Sequence, residues 1–193
     1  MINSSDKSFL FNQFFYFDSV ESTQDFAFEL LKGPDDFYPS VIISDFQTGG
    51  KGRKGPNWVS PRGGIWMSMA LKTNMKTHEL FRILVLVTKL LCETLECHTR
   101  LKSMVKWPND ILINGKKVAG ILVDAEVESD NIKQVIIGIG VNSNNDLDST
   151  RLSIKDKNNE RYDYDITTIK HENRHIDISN HDFIHYFILV IDC

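Results

Sequence analysis

Between residues 106 and 122 the chain reads KWPNDILINGKKVAGIL, which sets a carboxylate and a lysine on the two arms of one predicted hairpin. Asn114-Gly115, flanked by apolar runs, is a strong two-residue turn signal, because a tight hairpin needs positive φ at both central positions. With that turn, paired positions sum to 229, so Asp110 is expected to face Ala119 and Leu112 to face Lys117. These four side chains then share one face, while Ile111 and Val118 point to the other, into a core. The Lys117 amine and Asp110 carboxylate lie diagonally, with Cβ atoms about 7–8 Å apart, a gap that a lysine can bridge. Such a pair offers a positioned positive charge to an anion. An exposed hairpin with solvated charges is the plain alternative. Gly120 weighs against it, since a glycine inside a strand marks close approach of a ligand or another backbone.

A second cationic element lies some fifty residues upstream. GGKGRKGPNW, residues 49–58, sets Lys51, Arg53 and Lys54 among Gly49, Gly50, Gly52 and Gly55. Glycines let successive N–H groups turn toward one point, a concavity suited to an anion. The loop is not a P-loop, because it lacks the Lys-Ser/Thr ending and the helix that should follow. The whole chain carries 22 basic and 26 acidic residues, a formal net charge of −4, which gives no electrostatic case for nucleic acid. A local basic loop in such a protein is aimed at one small anionic group.

The elements that must hold these groups read as α+β. FFYFDSV is a first strand, and STQDFAFELLKG a helix opened by a hydroxyl cap and closed by Gly33. SVIISDF is a short buried strand leading into the glycine loop. GGIWMSMAL alternates as a strand, with Trp66 the ambiguous position. From Thr77 to about Cys97 the spacing becomes helical, with Leu80, Leu84, Val87, Leu91 and Leu95 on one side. VKW, DILI, KKVAGILVDAEV and KQVIIGIGVN follow as strands joined by tight turns. Pro108 breaks the first of these joins, so the strand resumes near Asp110. After Asn142 the polar run NSNNDLDST is expected to be a surface loop or irregular hairpin. SNHDFIHYFILVIDC is a capped amphipathic helix, with Phe183, Phe187 and Ile191 at helical spacing and no following residues to complete a packing unit.

Length and composition suit one soluble domain: 193 residues, 41% hydrophobic and 25% charged. The N-terminus lacks the basic start, continuous apolar core and cleavage site of a secretory signal. The longest apolar run, ILVLVTKLLC, is interrupted by Lys89 and falls short of the roughly 18–20 residues of a membrane helix. A cytoplasmic protein without a membrane or nucleic-acid partner is therefore expected. Cys92, Cys97 and Cys193 form neither a disulfide framework nor a zinc pattern, and no metal ligands are assigned.

In order along the chain, GGKGRKGPNWVSPRGGIWMSMAL, KWPNDILINGKKVAGIL and GIGVN resemble the catalytic domain of biotin protein ligases, the biotin–[acetyl-CoA-carboxylase] ligases. The likeness runs from about Phe15 to Phe187. It implies a mixed, largely antiparallel sheet flanked by helices, like that of the biotin–lipoate ligase catalytic domain and class II aminoacyl-tRNA synthetases. The family uses ATP and Mg2+ to join biotin to AMP, then passes biotin to a lysine of a biotin carboxyl carrier protein. Bringing a carboxylate against an α-phosphate requires cations and oriented N–H groups.

Carried over by position, the resemblance makes Lys117, Arg53 and Asp110 the catalytic group. Lys117 would lie against the biotin carboxylate and phosphate oxygens. Asp110 would orient that cluster or assist the acceptor lysine, and Arg53 with the loop would fold over the adenylate. Ser22, Thr23 and Gln47 occupy the ureido-binding positions, although capping of the helix also accounts for the first two. Gln24 stands where Asn is usual. Gly50, Lys51 and Arg53 complete the biotin side, with Gly120 and Gly138 leaving room for the bicycle. On the nucleotide side the resemblance implies Gly52, Arg53, Lys54, Lys117, Asn109 and Asn142, with Trp58 stacking on adenine.

Three departures bear on loop closure: Lys51 and Lys54 replace arginines, and Pro56 replaces the last arginine of the loop. The expected organisation is one catalytic domain over residues 1–193, without an N-terminal helix-turn-helix domain or a C-terminal SH3-like barrel. A homodimer is compatible with the resemblance. Two other readings stand beside it: a lipoate or octanoate ligase or transferase of the same fold, and a truncated non-catalytic biotin-binding paralogue.

Overall fold

The strand-forming runs pair into one seven-stranded sheet, whose two faces are covered differently. A computed structural model describes residues 10–33, 39–53, 58–146, 148 and 165–192. The strands are β1 (Gln13–Phe17), β2 (Ser40–Ser44), β3 (Ile65–Lys76), β4 (Met104–Lys106), β5 (Asp110–Ile113), β6 (Lys116–Glu128) and β7 (Asn131–Val141). Their spatial order is β1-β2-β3-β7-β6-β5-β4. Only β1 and β2 run parallel, because α1 (Thr23–Leu31) crosses between them; the other pairs are antiparallel. The α+β class and mixed, largely antiparallel sheet expected from the sequence are the observed ones.

Period-two alternation assigns the faces. Val41, Ile43, Ile65, Met67, Met69, Ile121, Val135, Ile137 and Ile139 point to one side. There they meet α2 (Leu80–Thr99), which follows a 3-10 turn at Thr77–Glu79, and α4 (Asn180–Ile191). Leu91 and Leu95 of α2 are fully buried in this core, as the helical spacing requires. The C-terminal helix does have a packing partner: Phe183 and Phe187 lie at 1% and 0% exposure against the same core. Ser179 caps α4 by accepting from the Asp182 N–H at 3.2 Å.

The opposite face carries a smaller cluster of Ala27, Leu31, Ile42, Ala70 and Ile136 beneath α1. That helix covers only part of the sheet. The remainder, over β6, β7 and β5, is where the glycines and the charged pair lie.

Two local expectations change. The first strand ends at Phe17, and Val20 contributes only an isolated bridge to Gln47. The polar run after Asn142 does not begin at the surface. Ser143 and Asn145 are buried, Ser143 donates to the Gly63 carbonyl at 2.8 Å, and Asn144 bridges to Ile178. Asn142 itself ties β6 to α3 (Ile169–Glu172): its N–H donates to Val118 and its carbonyl accepts from Ile169, each at 2.8 Å.

The α2–α4 layer fixes the sheet from behind, so a cavity there should be felt globally. Leu91→Ala is expected to lower the unfolding free energy by about 2–5 kcal/mol. Leu86→Ala, at a position 55% exposed, should change it by less than about 0.5 kcal/mol. Urea unfolding followed by circular dichroism measures both.

Candidate functional site

The hairpin turn forms as its sequence requires: Asn114 and Gly115 have φ of 51° and 78°. The register then departs from the expected one. Ile113 pairs with Lys116 and Leu112 with Lys117, but Ile111 pairs with Ala119 and Asp110 with Gly120. A β-bulge at Val118 inserts one residue into β6. Val118 and Ala119 both turn into the core, while Lys117 stays on the same face as Asp110. The bulge thus corrects the Asp110–Ala119 pairing and preserves the predicted meeting of charges. Lys117 Nζ lies 2.7 Å from Asp110 Oδ1, with the side chains 12% and 13% exposed.

Asp110 faces Gly120 because nothing else there would fit. Gly120 is the cross-strand partner of Gly140, and the indole of Trp58 lies across both. A Cβ at Gly120 would meet Trp58 Cζ3 at 2.8 Å, and one at Gly140 would meet Nε1 at 2.8 Å. Lys117 Nζ stands 4.8 Å from the indole centroid, a cation–π distance. Trp58 therefore bridges the basic loop and the hairpin lysine. Its Nε1 is buried without a hydrogen-bond partner among the described residues.

One step along β7, Gly138 continues the side-chain-free floor, and Gln24 reaches into the vacated space. A Cβ at Gly138 would fall 2.5 Å from Gln24 Oε1. Gln24 accepts from the Ser68 hydroxyl at 3.0 Å and donates to Asp124 at 3.0 Å. Ser68 and Thr23 share a hydrogen bond at 2.9 Å. The Thr23 N–H donates to Gln47 Oε1 at 2.8 Å, and the Gln47 amide donates to Ser60 at 2.7 Å. Thr23, Gln24, Gln47, Ser60 and Ser68 thus form one network of neutral donors and acceptors at the N-terminus of α1. Ser22 caps that helix, accepting from the Asp25 N–H at 3.3 Å, so its capping role is the one observed.

The loop is anchored at its start. Gly49 donates its N–H to the Glu21 carbonyl at 2.7 Å, so that N–H does not join an anion concavity as expected. At Gly50 an added Cβ would lie 2.5 Å from the Trp58 carbonyl, which leaves room only for glycine. Lys51 pairs with Asp25 of α1. Gly52 leads to exposed Arg53, which lines a cleft of about 380 Å³ with Asn109, Ile121, Phe81 and Leu84. Lys54 lies outside the described residues, as do Gly55 and Pro56.

Burial pushes the Lys117 ammonium below the usual lysine range; Asp110 pulls it back up, and Lys106 and Arg53 add to the lowering. Asn109 holds the end of β5 to β6, its amide and carbonyl engaging Ile121 at 3.0 Å each. Asn142 is 3% exposed, with its Oδ1 accepting from Asn145 at 3.2 Å. Both amides do structural work in this arrangement.

Sequence reasoning missed Ser60, Ser68, Asp124 and Gly140. Ser68 had a signal, a hydroxyl two residues from Trp66 and Ala70 on an otherwise apolar strand. Gly140 had one too, repeating Gly138 at the strand period. Ser60 and Asp124 had none, since only the tertiary fold brings them to the network.

Residues 16–142 match the biotin/lipoate A/B protein ligase family. The bifunctional ligase/repressor BirA of Bacillus spizizenii is 38% identical over 144 residues, 73% of this chain and 43% of that protein. The biotin–[acetyl-CoA-carboxylase] ligase of Paracoccus denitrificans is 32% identical over 103 residues, 52% of this chain and 43% of its own. The chain spans less than half the length of these relatives. Among solved structures, the biotin protein ligase of Aquifex aeolicus in complex with biotin and ATP has a TM-score of 0.64 at 26% identity, covering 94% of this chain and 70% of that one. The Leishmania major biotin protein ligase in complex with biotinyl-5-AMP has a TM-score of 0.69 at 23% identity over 93% and 74%, a likeness of fold. With residues 16–142, most of its length, matched, the chain belongs to the biotin/lipoate A/B protein ligase family.

Proposed function

We propose that the protein is a biotin protein ligase, forming biotinyl-5′-AMP from biotin and ATP and passing biotin to a lysine of a biotin carboxyl carrier protein. One observation carries this reading. The Lys117–Asp110 pair, 2.7 Å apart, adjoins a glycine floor that ends in a network of hydroxyls and amides anchored on Asp124. Biotin has matching chemistry in the same order: a carboxylate on an apolar tail, ending in a ureido ring that both donates and accepts. The Paracoccus denitrificans relative, a biotin–[acetyl-CoA-carboxylase] ligase, supports the same substrate.

In the first step a biotin carboxylate oxygen attacks the α-phosphorus of ATP, and the bond to the bridging oxygen breaks. The electron pair leaves with pyrophosphate. Lys117 donates N–H groups to the carboxylate and α-phosphate oxygens, offsetting their repulsion in a site where its charge is poorly screened. In the second step the acceptor amine attacks the acyl carbon, an amide forms, and AMP leaves with the electrons of the acyl–oxygen bond. Asp110 orients this cluster or assists the acceptor amine by taking its proton. Thr23, Gln24 and Gln47 orient the ureido ring, with Ser22 setting the helix that carries the first two. Gly50, Lys51, Gly52 and Arg53 form the flap over the adenylate, and Trp58 gives a flat surface for adenine.

Among the described residues no group of three or more His, Cys, Asp or Glu could hold a metal ion. Mg2+ would arrive on the ATP phosphates, which with waters and one or two carboxylates are its usual ligands. No described helix is long and apolar enough to cross a membrane.

The direct test is incubation with biotin, ATP, Mg2+ and a carrier domain, with lipoate in a parallel arm. Biotin on the carrier is the expected result. Lipoate attachment alone would make the protein a lipoate ligase, and biotin binding without biotin-dependent pyrophosphate exchange would make it a binding protein.

Two variants probe the assigned roles. Lys117→Ala should slow adenylate formation by about 10²–10³-fold, with a much smaller loss of biotin affinity; equal losses would leave Lys117 a structural role only. Arg53→Gly should loosen the flap and release activated biotin, seen as biotin on bystander proteins mixed with the carrier. Unchanged selectivity would remove the shielding role.

A further inference from the structure

Lys117 stands at a discontinuity in the sheet. On one flank β6 is lined by β5, but on the other β7 reaches only to Val141, opposite Ala119. Between Ala119 and Lys117 the bulge at Val118 interrupts β6 itself. A lysine whose charge has to be aimed therefore sits beside irregular backbone. The chain returns to fill the gap: residues 165–167 run alongside β6, with a parallel bridge between Ile166 and Lys117. The Lys117 N–H donates to the Asp165 carbonyl, and the Lys117 carbonyl accepts from the Thr167 N–H, each at 2.8 Å. With Leu112 of β5 opposite on its other flank, Lys117 is held from both sides. Whatever fastens residues 165–167 to the hairpin thus also aims Lys117.

That fastening converges on one carboxylate. Glu172, the last residue of α3, accepts from the Thr167 hydroxyl at 2.7 Å and from the Asn114 side-chain amide at 2.6 Å, with the Lys116 ammonium at 3.4 Å. Its side chain is 8% exposed, and Thr167 is fully buried. Asn114 belongs to the hairpin turn, Lys116 opens β6 and Thr167 ends the bridging segment, so Glu172 ties together the pieces of backbone that meet at Lys117. An ionised carboxylate accepts from all three donors at once, whereas a neutral amide in its place would set an NH2 against one of them. Burial alone would push the Glu172 carboxyl up, yet the hydrogen bonds from Thr167 and Asn114 and the Lys116 charge hold it below the usual carboxylate range. None of its three partners belongs to the pocket described above.

We propose that Glu172 is a positioning residue, clamping the hairpin turn to residues 165–167 so that the Lys117 ammonium keeps the aim that adenylation needs, an inference that rests on the ligase reading. Glu172 acts through the backbone on either side of Lys117 and takes no part in proton transfer. The bulge is what makes the clamp necessary. An extra residue in one strand disrupts the local ladder, and at a reacting group a misplacement of about 1 Å can cost about 10²-fold in rate.

Glu172→Gln, which keeps the shape and removes the charge, tests this in biotin-dependent pyrophosphate exchange and in amide hydrogen exchange of the ligand-free protein. The kcat of adenylation should fall by about tenfold or more, with the KM for biotin within about twofold of wild type. In a Lys117→Ala background the same substitution should have little further effect, because a residue that acts through Lys117 then has nothing left to position. A merely structural carboxylate would slow both backgrounds alike. The Lys117 and Thr167 amides should exchange faster by about tenfold, while those of Leu91 and Ile137 in the core keep their wild-type rates. Thr167→Val removes one of the three donors and should move kcat and both amides in the same direction by less; it carries the test if glutamine disturbs folding. An unchanged kcat, or equal losses in the wild-type and Lys117→Ala backgrounds, overturns the proposal. If the two amides loosen but wild type makes no adenylate, the clamp stands and the ligase reading falls. If wild type makes adenylate and the two amides of the variants exchange at wild-type rates, the ligase reading stands and the clamp falls.

Discussion

An ammonium that has lost most of its water is stable only beside compensating charge, and the neighbourhood of Lys117 follows from that constraint. Asp110 supplies the charge at 2.7 Å, yet the pair is not left to neutralise itself. The indole face of Trp58 lies against it, and Lys106 and Arg53 add positive potential that opposes its charge. A carboxylate alone would draw Lys117 into a closed ion pair. Adding cations around the same carboxylate weakens that closure and leaves the ammonium available to another anion.

Holding that group in place is the task of the opposite sheet face. The apolar side chains of β3, β6 and β7 are clamped by α2 and α4, which leaves the other face free to omit side chains at Gly120, Gly138 and Gly140. The bulge at Val118 joins the two demands. It sends two successive residues of β6 into the core and keeps Lys117 and Gly120 on the site face. Without the extra residue, one of those two would turn inward. The N-terminus of α1 has a similar double duty, since Ser22 satisfies the helix while Thr23 and Gln24 satisfy the site.

Much of this was legible in the sequence because it depends on local chemistry. The Asn114-Gly115 turn, the hydroxyl cap at Ser22 and the apolar stripe of α2 each carry their own cause within a few residues. The meeting of Lys117 with Asp110 was legible as well, although through a register that the bulge changes, because nothing in KKVAGIL announces that Val118 and Ala119 both face inward. What stayed hidden is long-range. Ser60 and Asp124 join the network only after strands far apart in sequence are stacked, and the burial of Ser143 and Asn145 depends on the segments around Gly63 and Ile178. A polar composition implies exposure only when the fold offers those groups no internal partners. The C-terminal helix makes the same point in reverse, since its missing partner was α2, almost a hundred residues earlier.

The loop and the sheet solve different mechanical problems, and Trp58 is where they meet. The loop is tethered at its entrance by backbone hydrogen bonds from Thr48 and Gly49 and by the Lys51–Asp25 pair. Beyond that point, among the described residues, its contact with the floor is the indole resting on two glycines and facing an ammonium. Such contacts are broad and weakly directional. A side chain held by shape and cation–π attraction can slide when a ligand enters, whereas one held by a hydrogen bond would have to break it first. Directional bonds therefore fix the polar network beneath α1, where recognition needs exact geometry. The softer contact lies over the Lys117–Asp110 pair.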